Sequence, residues 1–193
     1  MFGFSGSACA QNALKSFCDG DCGIHLFTGE WVTDSQLDVF VTDPIFPWQY
    51  DYLSDERIYG LALSKRMWTI FKVIDVEPEL GFAIRTGEED AEEIWAALYF
   101  RFDQFPWRET LYTSIAISTG LNYATRVTQL ERDRAGADQK LLHYLSPEIS
   151  FALPKYEQYE LVFRFHHRSG GYGTIGGADG GAQYGTVGFR LRF

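Results

Sequence analysis

The sequence predicts an all-β protein: an eight-stranded antiparallel up-and-down β-barrel that spans a membrane. Three observations predict it. Apolar and polar residues alternate with a period of two through eight segments, the signature of strands with one greasy and one polar face. The connections between these segments alternate in length, and every long one falls at the same end of an up-and-down barrel. The polar faces carry carboxylates and guanidiniums together, an arrangement in which the charges can neutralise one another inside a narrow lumen.

The elements follow in order. Ile24 to Trp31 is the first strand, and residues 32–55, rich in Asp, Pro and Tyr, are a long loop whose QLDVFV segment can extend a strand. Arg57 to Met67 sets Tyr59, Leu61 and Leu63 against Gly60, Ala62, Ser64 and Arg66, with a tight connection near Trp68. From about Phe71 to Arg85, Ile74, Val76, Leu80, Phe82 and Ile84 oppose Asp75, Glu77, Glu79 and Arg85. Ala91 to Phe102 alternates as a strand, although AEEIWAAL also suits a helix. DQFPWRE is a turn, and Leu111 to Tyr123 alternates Ile115, Ile117 and Leu121 with Ser114, Ala116, Ser118 and Asn122. Residues 125–140 are charged and turn-like; Leu141 to Leu153 is the sixth strand. The last two strands flank a glycine-rich loop. On the first, Tyr159, Leu161, Phe163, Phe165, His167 and Ser169 share one face, and Glu160, Arg164, His166 and Arg168 the other. On the second, Gly185, Val187, Phe189, Leu191 and Phe193 oppose Tyr184, Thr186, Arg190 and Arg192.

Alternation alone also fits a soluble barrel of the lipocalin kind, with its apolar face inside. The loop-length asymmetry, the mixed charges on the polar face and the tryptophans Trp68 and Trp107 at the short-turn end, where an interfacial girdle belongs, favour the membrane barrel. No apolar run reaches the roughly 18–20 residues of a spanning helix. A formal charge of −9 argues against a nucleic-acid binder. The CDGDC segment has too few partners for a zinc site; it suits a small disulfide between Cys18 and Cys22 in an oxidising compartment, or two free thiols. Residues 1–22 read as a leader remnant and periplasmic segment, because Ala-Cys-Ala resembles the small-residue tail of a signal peptide, and residues 23–193 read as the barrel.

The anomaly lies at the loop end of the seventh strand, where His167 and Ser169 sit on the apolar face. Two residues apart on a strand, their Cα atoms are about 6.5–7 Å apart. An imidazole can then approach the hydroxyl, as a base-activated serine requires. On the barrel reading both point into lipid near the outer rim, where a polar pair is costly unless it is used or hydrogen-bonded. A structural role at the headgroup level is the plainer reading of the same pair. His166 and Arg168 have the opposite parity and face the lumen. The glycine-rich loop lacks the strand–loop–helix setting of a phosphate cradle.

FHHRSGGYG, the glycine-rich loop and the closing strand resemble the C-terminal end of the PagL family of lipid A 3-O-deacylases. These are eight-stranded outer-membrane barrels with a His-x-Ser pair on the lipid-facing surface. The resemblance is sharpest over residues 163–193 and looser from residue 24 onward; the terminal Phe193 is similar to the closing residue of such barrels. It implies a bacterial outer-membrane esterase that removes an ester-linked acyl chain from lipid A in lipopolysaccharide, with no metal and no organic cofactor. It gives Ser169 the role of nucleophile and His167 that of base. Two positions depart from the family. Its Asn directly after the Ser is Gly170 here, and its Glu at the start of the last strand falls on Gln183, with Asp179 as the nearby carboxylate able to substitute. An amide in that place does not supply the charge whose loss costs a well-studied serine protease about 10⁴ in turnover. The oxyanion donors on this reading are the backbone N–H groups of Gly170 and Gly171. The departure at Gln183 supports a second function class, a catalytically silent barrel with a structural or partner-binding role.

Overall fold

The computed structural model describes residues 17–34, 49–136, 138–170 and 180–193. Ten strand segments, β1 (Cys22–Val32), β2 (Tyr52–Lys65), β3 (Trp68–Ile70), β4 (Ile74–Thr86), β5 (Ala91–Phe102), β6 (Tyr112–Ala124), β7 (Leu141–Leu145), β8 (Glu148–Ala152), β9 (Tyr159–Ser169) and β10 (Gln183–Arg192), form one antiparallel sheet. The sheet closes on itself where β1 pairs with β10. Two segments continue others. β3 prolongs β2 beyond a one-residue bulge at Arg66–Met67, for the register against β4 moves from Ser64↔Glu79 to Trp68↔Val76. β8 prolongs β7 with no change of register against β6 or β9; the ladder lapses at Ser146–Pro147 because proline has no N–H to donate. The closed barrel therefore has eight strands, as the alternation predicts.

The connections 33–51, 125–140 and 170–182 lie at one end with the short turn 87–90, and the turns 71–73, 103–111 and 153–158 lie at the other. The AEEIWAAL segment is strand throughout, its residues alternately buried and exposed. Two expectations move. The tight turn placed near Trp68 comes at Phe71–Val73, after β3, with Phe71 and Lys72 at positive φ. The stretch read as turn-like contains a helix, α1 (Gln129–Ala135), started by Thr128 and Glu131 capping each other's backbone N–H and stopped by Gly136 in the left-handed conformation. The QLDVFV segment and residues 1–16 lie outside the described residues. Cys18 and Cys22 are joined as a disulfide at the start of β1. Lys65 holds this segment against β2, its ammonium donating to the Phe17 carbonyl and lying over the Phe17 ring.

The outer wall is apolar, with Leu26, Leu80 and Phe189 each about three-fifths exposed or more (59%, 66% and 68%), as expected of side chains that face hydrocarbon rather than water. The lumen is polar and filled. Arg164 donates two hydrogen bonds to Glu79, at 2.9 and 2.8 Å, and reaches Glu148 at 2.8 Å. Arg190 bridges Glu148 and Glu160, and Arg192 joins Glu77 and Glu160. Trp95 donates to Glu79. At the long-loop end α1 tucks Glu131 into the lumen, where it accepts from Arg85 at 2.6 Å and from Arg168 at 3.1 Å. A buried chain links Tyr99, Tyr144, His166 and Glu93. His166 and Arg168 thus face inward, each with lumen partners.

Candidate functional site

Strand parity puts His167 and Ser169 on the outer wall of β9, at its long-loop end. They are not open to lipid, however: His167 is 7% exposed and Ser169 8%. The expectation that both point freely into the bilayer is therefore corrected. The ends of the first long connection fold over this part of the wall. Tyr50 packs edge-on against Phe165, Tyr52 lies beside Tyr50, and Val32 joins the same cluster. The Phe165 ring in turn stacks beside the His167 imidazole, with centroids 6.1 Å apart. The covering arises because Tyr50, Tyr52 and Phe165 can bury one another only by closing over the strand end, and aromatic pairs favour the edge-on and offset contacts seen here.

On the β10 side, Gln183 is the register partner of His167, which sets its carboxamide beside the imidazole. The carboxamide nitrogen donates to the backbone carbonyls of Val32, at 2.9 Å, and Asp34. Its acceptor oxygen is then the atom suited to hold an imidazole N–H. The Nδ1 atom of His167 has no hydrogen-bond partner among the described residues. On the other side of β9, β7 pairs His143 with Ser169 and Leu145 with His167. His143 is half-buried on the outer wall, and its Nε2 lies 2.8 Å from the hydroxyl of Thr119 on β6. Sequence reasoning missed His143. The signal was present: between inward-facing Leu142 and Tyr144, it is a polar residue on an otherwise greasy face, the same anomaly that singles out His167 and Ser169.

Gly170 does not fill the role expected of it. Its N–H donates to the Gly180 carbonyl at 3.3 Å, extending the β9–β10 ladder past the strand ends. The backbones there approach closely, and a Cβ at Gly181 would lie 2.0 Å from the Arg168 carbonyl oxygen, so only glycine fits. Gly171 and Asp179 lie outside the described residues. Among those residues, no group of three or more His, Cys, Asp and Glu side chains is placed to hold a metal ion.

A groove of about 510 Å³ lies on the outer wall, from Phe163 on β9 across β10 to β1 and β2, with neither His167 nor Ser169 in its lining. Phe163, Val187 and Thr28 line its floor, Tyr52 stands over it, and the Arg57–Glu30 ion pair, 3.4 Å apart, lies at its far side. Gly185 makes the room: a Cβ there would lie 2.7 Å from the Tyr52 hydroxyl. Gly185 follows Gln183 by two residues on the same face, about 6.5–7 Å along the strand.

No protein-family model matches the chain, and no curated protein matches it by sequence. Among solved structures it is similar to the outer membrane enzyme PagL, with a TM-score of 0.60 at 12% identity, covering 89% of this chain and 99% of that one. It also matches the N-terminal β-barrel domain of Pseudomonas aeruginosa OprF, with a TM-score of 0.46 at 10% identity, over 90% of this chain and 98% of that one. Yersinia pestis outer membrane protein Ail matches with a TM-score of 0.45 at 10% identity, over 90% of this chain and 99% of that one. At such identities the likeness is one of fold: a closed eight-stranded barrel of the bacterial outer membrane.

Proposed function

We propose that this chain is an outer-membrane serine esterase that removes an ester-linked acyl chain from lipid A. The observation that carries the reading is the His167–Ser169 pair on the outer wall at the long-loop end, with Gln183 beside the imidazole and a groove that begins two residues further along β10 at Gly185. Ser169 attacks the ester carbonyl and His167 takes its proton. Gln183 holds the imidazole, and the groove between Phe163, Val187 and Tyr52 seats the acyl chain. The fold shared with PagL, an outer membrane enzyme, supports the same reading.

A second reading has its own observation. Gln183 stands where the resemblance expects a carboxylate, and its amide nitrogen is tied to two backbone carbonyls. An amide so anchored favours a silent barrel in which the pair is only a packed strand end. Mass spectrometry of lipid A from cells making the parent or Ser169→Ala separates the two. The esterase gives a lipid A lighter by one acyl chain with the parent alone; identical profiles, with both proteins folded by heat-modifiable gel mobility, overturn it.

A further inference from the structure

The tetrahedral intermediate of acyl transfer needs a base on one side of the nucleophile and a hydrogen-bond donor aimed at the developing oxyanion. On the reading of Ser169 as nucleophile, His167 lies two residues before it on β9, with Gln183 on β10 as the partner of His167. The nearest backbone donor in sequence, the Gly170 N–H, is already committed to Gly180. The β7 side holds His143, the direct register partner of Ser169. Directly opposed residues of antiparallel strands point to the same face, with Cα atoms about 4.5–5.5 Å apart. That is closer than the spacing between His167 and Ser169 along β9.

We propose that His143 is the oxyanion donor of this site, oriented by Thr119. In this assignment the Thr119 hydroxyl is the donor across its 2.8 Å contact with Nε2, and the single proton of the neutral imidazole is then on Nδ1, where it can be donated. In the first half-reaction the Ser169 oxygen bonds to the ester carbonyl carbon as its proton passes to His167. The carbonyl π pair moves onto oxygen, and this oxyanion accepts from His143 Nδ1–H. On collapse the ester C–O bond breaks, its electron pair leaves with the alcohol oxygen, and that oxygen takes the proton from His167. Water repeats the sequence to release the fatty acid and restore the Ser169 hydroxyl. Thus His143 supplies from a neighbouring strand the oxyanion donor that the sequence reading sought in the Gly170 and Gly171 N–H groups.

The test is steady-state deacylation of lipid A by the purified full-length barrel in detergent, with variants screened by heat-modifiable mobility. His143→Ala should lower kcat by about 10²–10³ with little change in KM, the loss seen when one oxyanion donor is removed. The midpoint of the pH–rate profile should stay in place. His143→Asn keeps a side-chain N–H near the Nδ1 position without titrating, so it should recover much of the rate. Thr119→Val, which releases the tautomer, should cost several-fold and leaves the fold intact on a lipid-facing wall. Parent-like rates in His143→Ala, or in Thr119→Val should the alanine variant not fold, overturn the assignment. A His143→Asn barrel as slow as the alanine one, with a displaced pH profile, overturns it by making His143 a base. Both outcomes leave Ser169 as nucleophile if Ser169→Ala is inactive; a parent no faster than Ser169→Ala overturns the esterase reading and this inference together.

Discussion

At the scale of the residue, Gln183 is the position where the structure changes what chemistry alone suggests. Beside a catalytic imidazole a carboxylate is worth more than an amide, so Gln183→Glu looks like a gain. The Gln183 nitrogen, however, donates to the Val32 and Asp34 carbonyls and so pins the covering segment to β10. A glutamate removes both donors and sets a charge against two carbonyl oxygens. Leaving such partners unsatisfied costs about 1–3 kcal/mol each. The expected outcome is a barrel with a lowered melting temperature and no more deacylation than the parent; a gain of activity at unchanged stability, read by lipid A profiling and thermal unfolding, would contradict it. The outward parity of His167, Ser169 and Gln183 was legible because parity along a strand is written in local sequence. His143 opposite Ser169 was not, because pairing between β7 and β9 is set by the closure of the barrel. The engagement of the Gly170 N–H was hidden for the same reason: it depends on how the glycine-rich loop returns.

At the scale of the element, β9 ties the outer site to the lumen, with Arg164 and His166 alternating with Phe165 and His167. Glu79→Ala removes both hydrogen bonds that Arg164 makes to Glu79 and the acceptor of Trp95. Breaking a buried ion pair by deleting one partner costs roughly 3–5 kcal/mol, and the temperature at which folded gel mobility is lost should fall accordingly. That an arginine here would meet a glutamate was legible from charges confined to one face; which glutamate was not, since Arg164 and Glu79 are far apart in sequence. The helix α1 is the opposite case. Thr128-x-x-Glu131 followed by Gly136 is a complete start and stop signal, but a seven-residue, mostly charged and polar stretch between two strands reads equally well as a turn. Thr128→Ala should cost about 1 kcal/mol, seen as faster proteolysis within residues 125–140. Glu131→Gln should cost more, because Arg168 loses its charge partner and Arg85 is left with Glu93 at 3.6 Å.

At the scale of the whole molecule, strand number, direction and the inside-out distribution of charge were all legible, since each follows from a period of two and from loop lengths. The cover over the site was not: it is made by residues flanking a long connection, whose aromatic side chains have no periodicity to announce where they pack. The filled lumen has a consequence of its own. Arg85, Arg101, Arg168 and Arg190 are among the largest fully buried side chains, and each is paired with a glutamate of another element. An ion entering this interior would have to separate guanidinium–carboxylate pairs that no water can replace. Reconstituted in a planar bilayer under voltage, the protein should therefore be an insulator, carrying no current steps. A stepwise conductance would mean that the network opens.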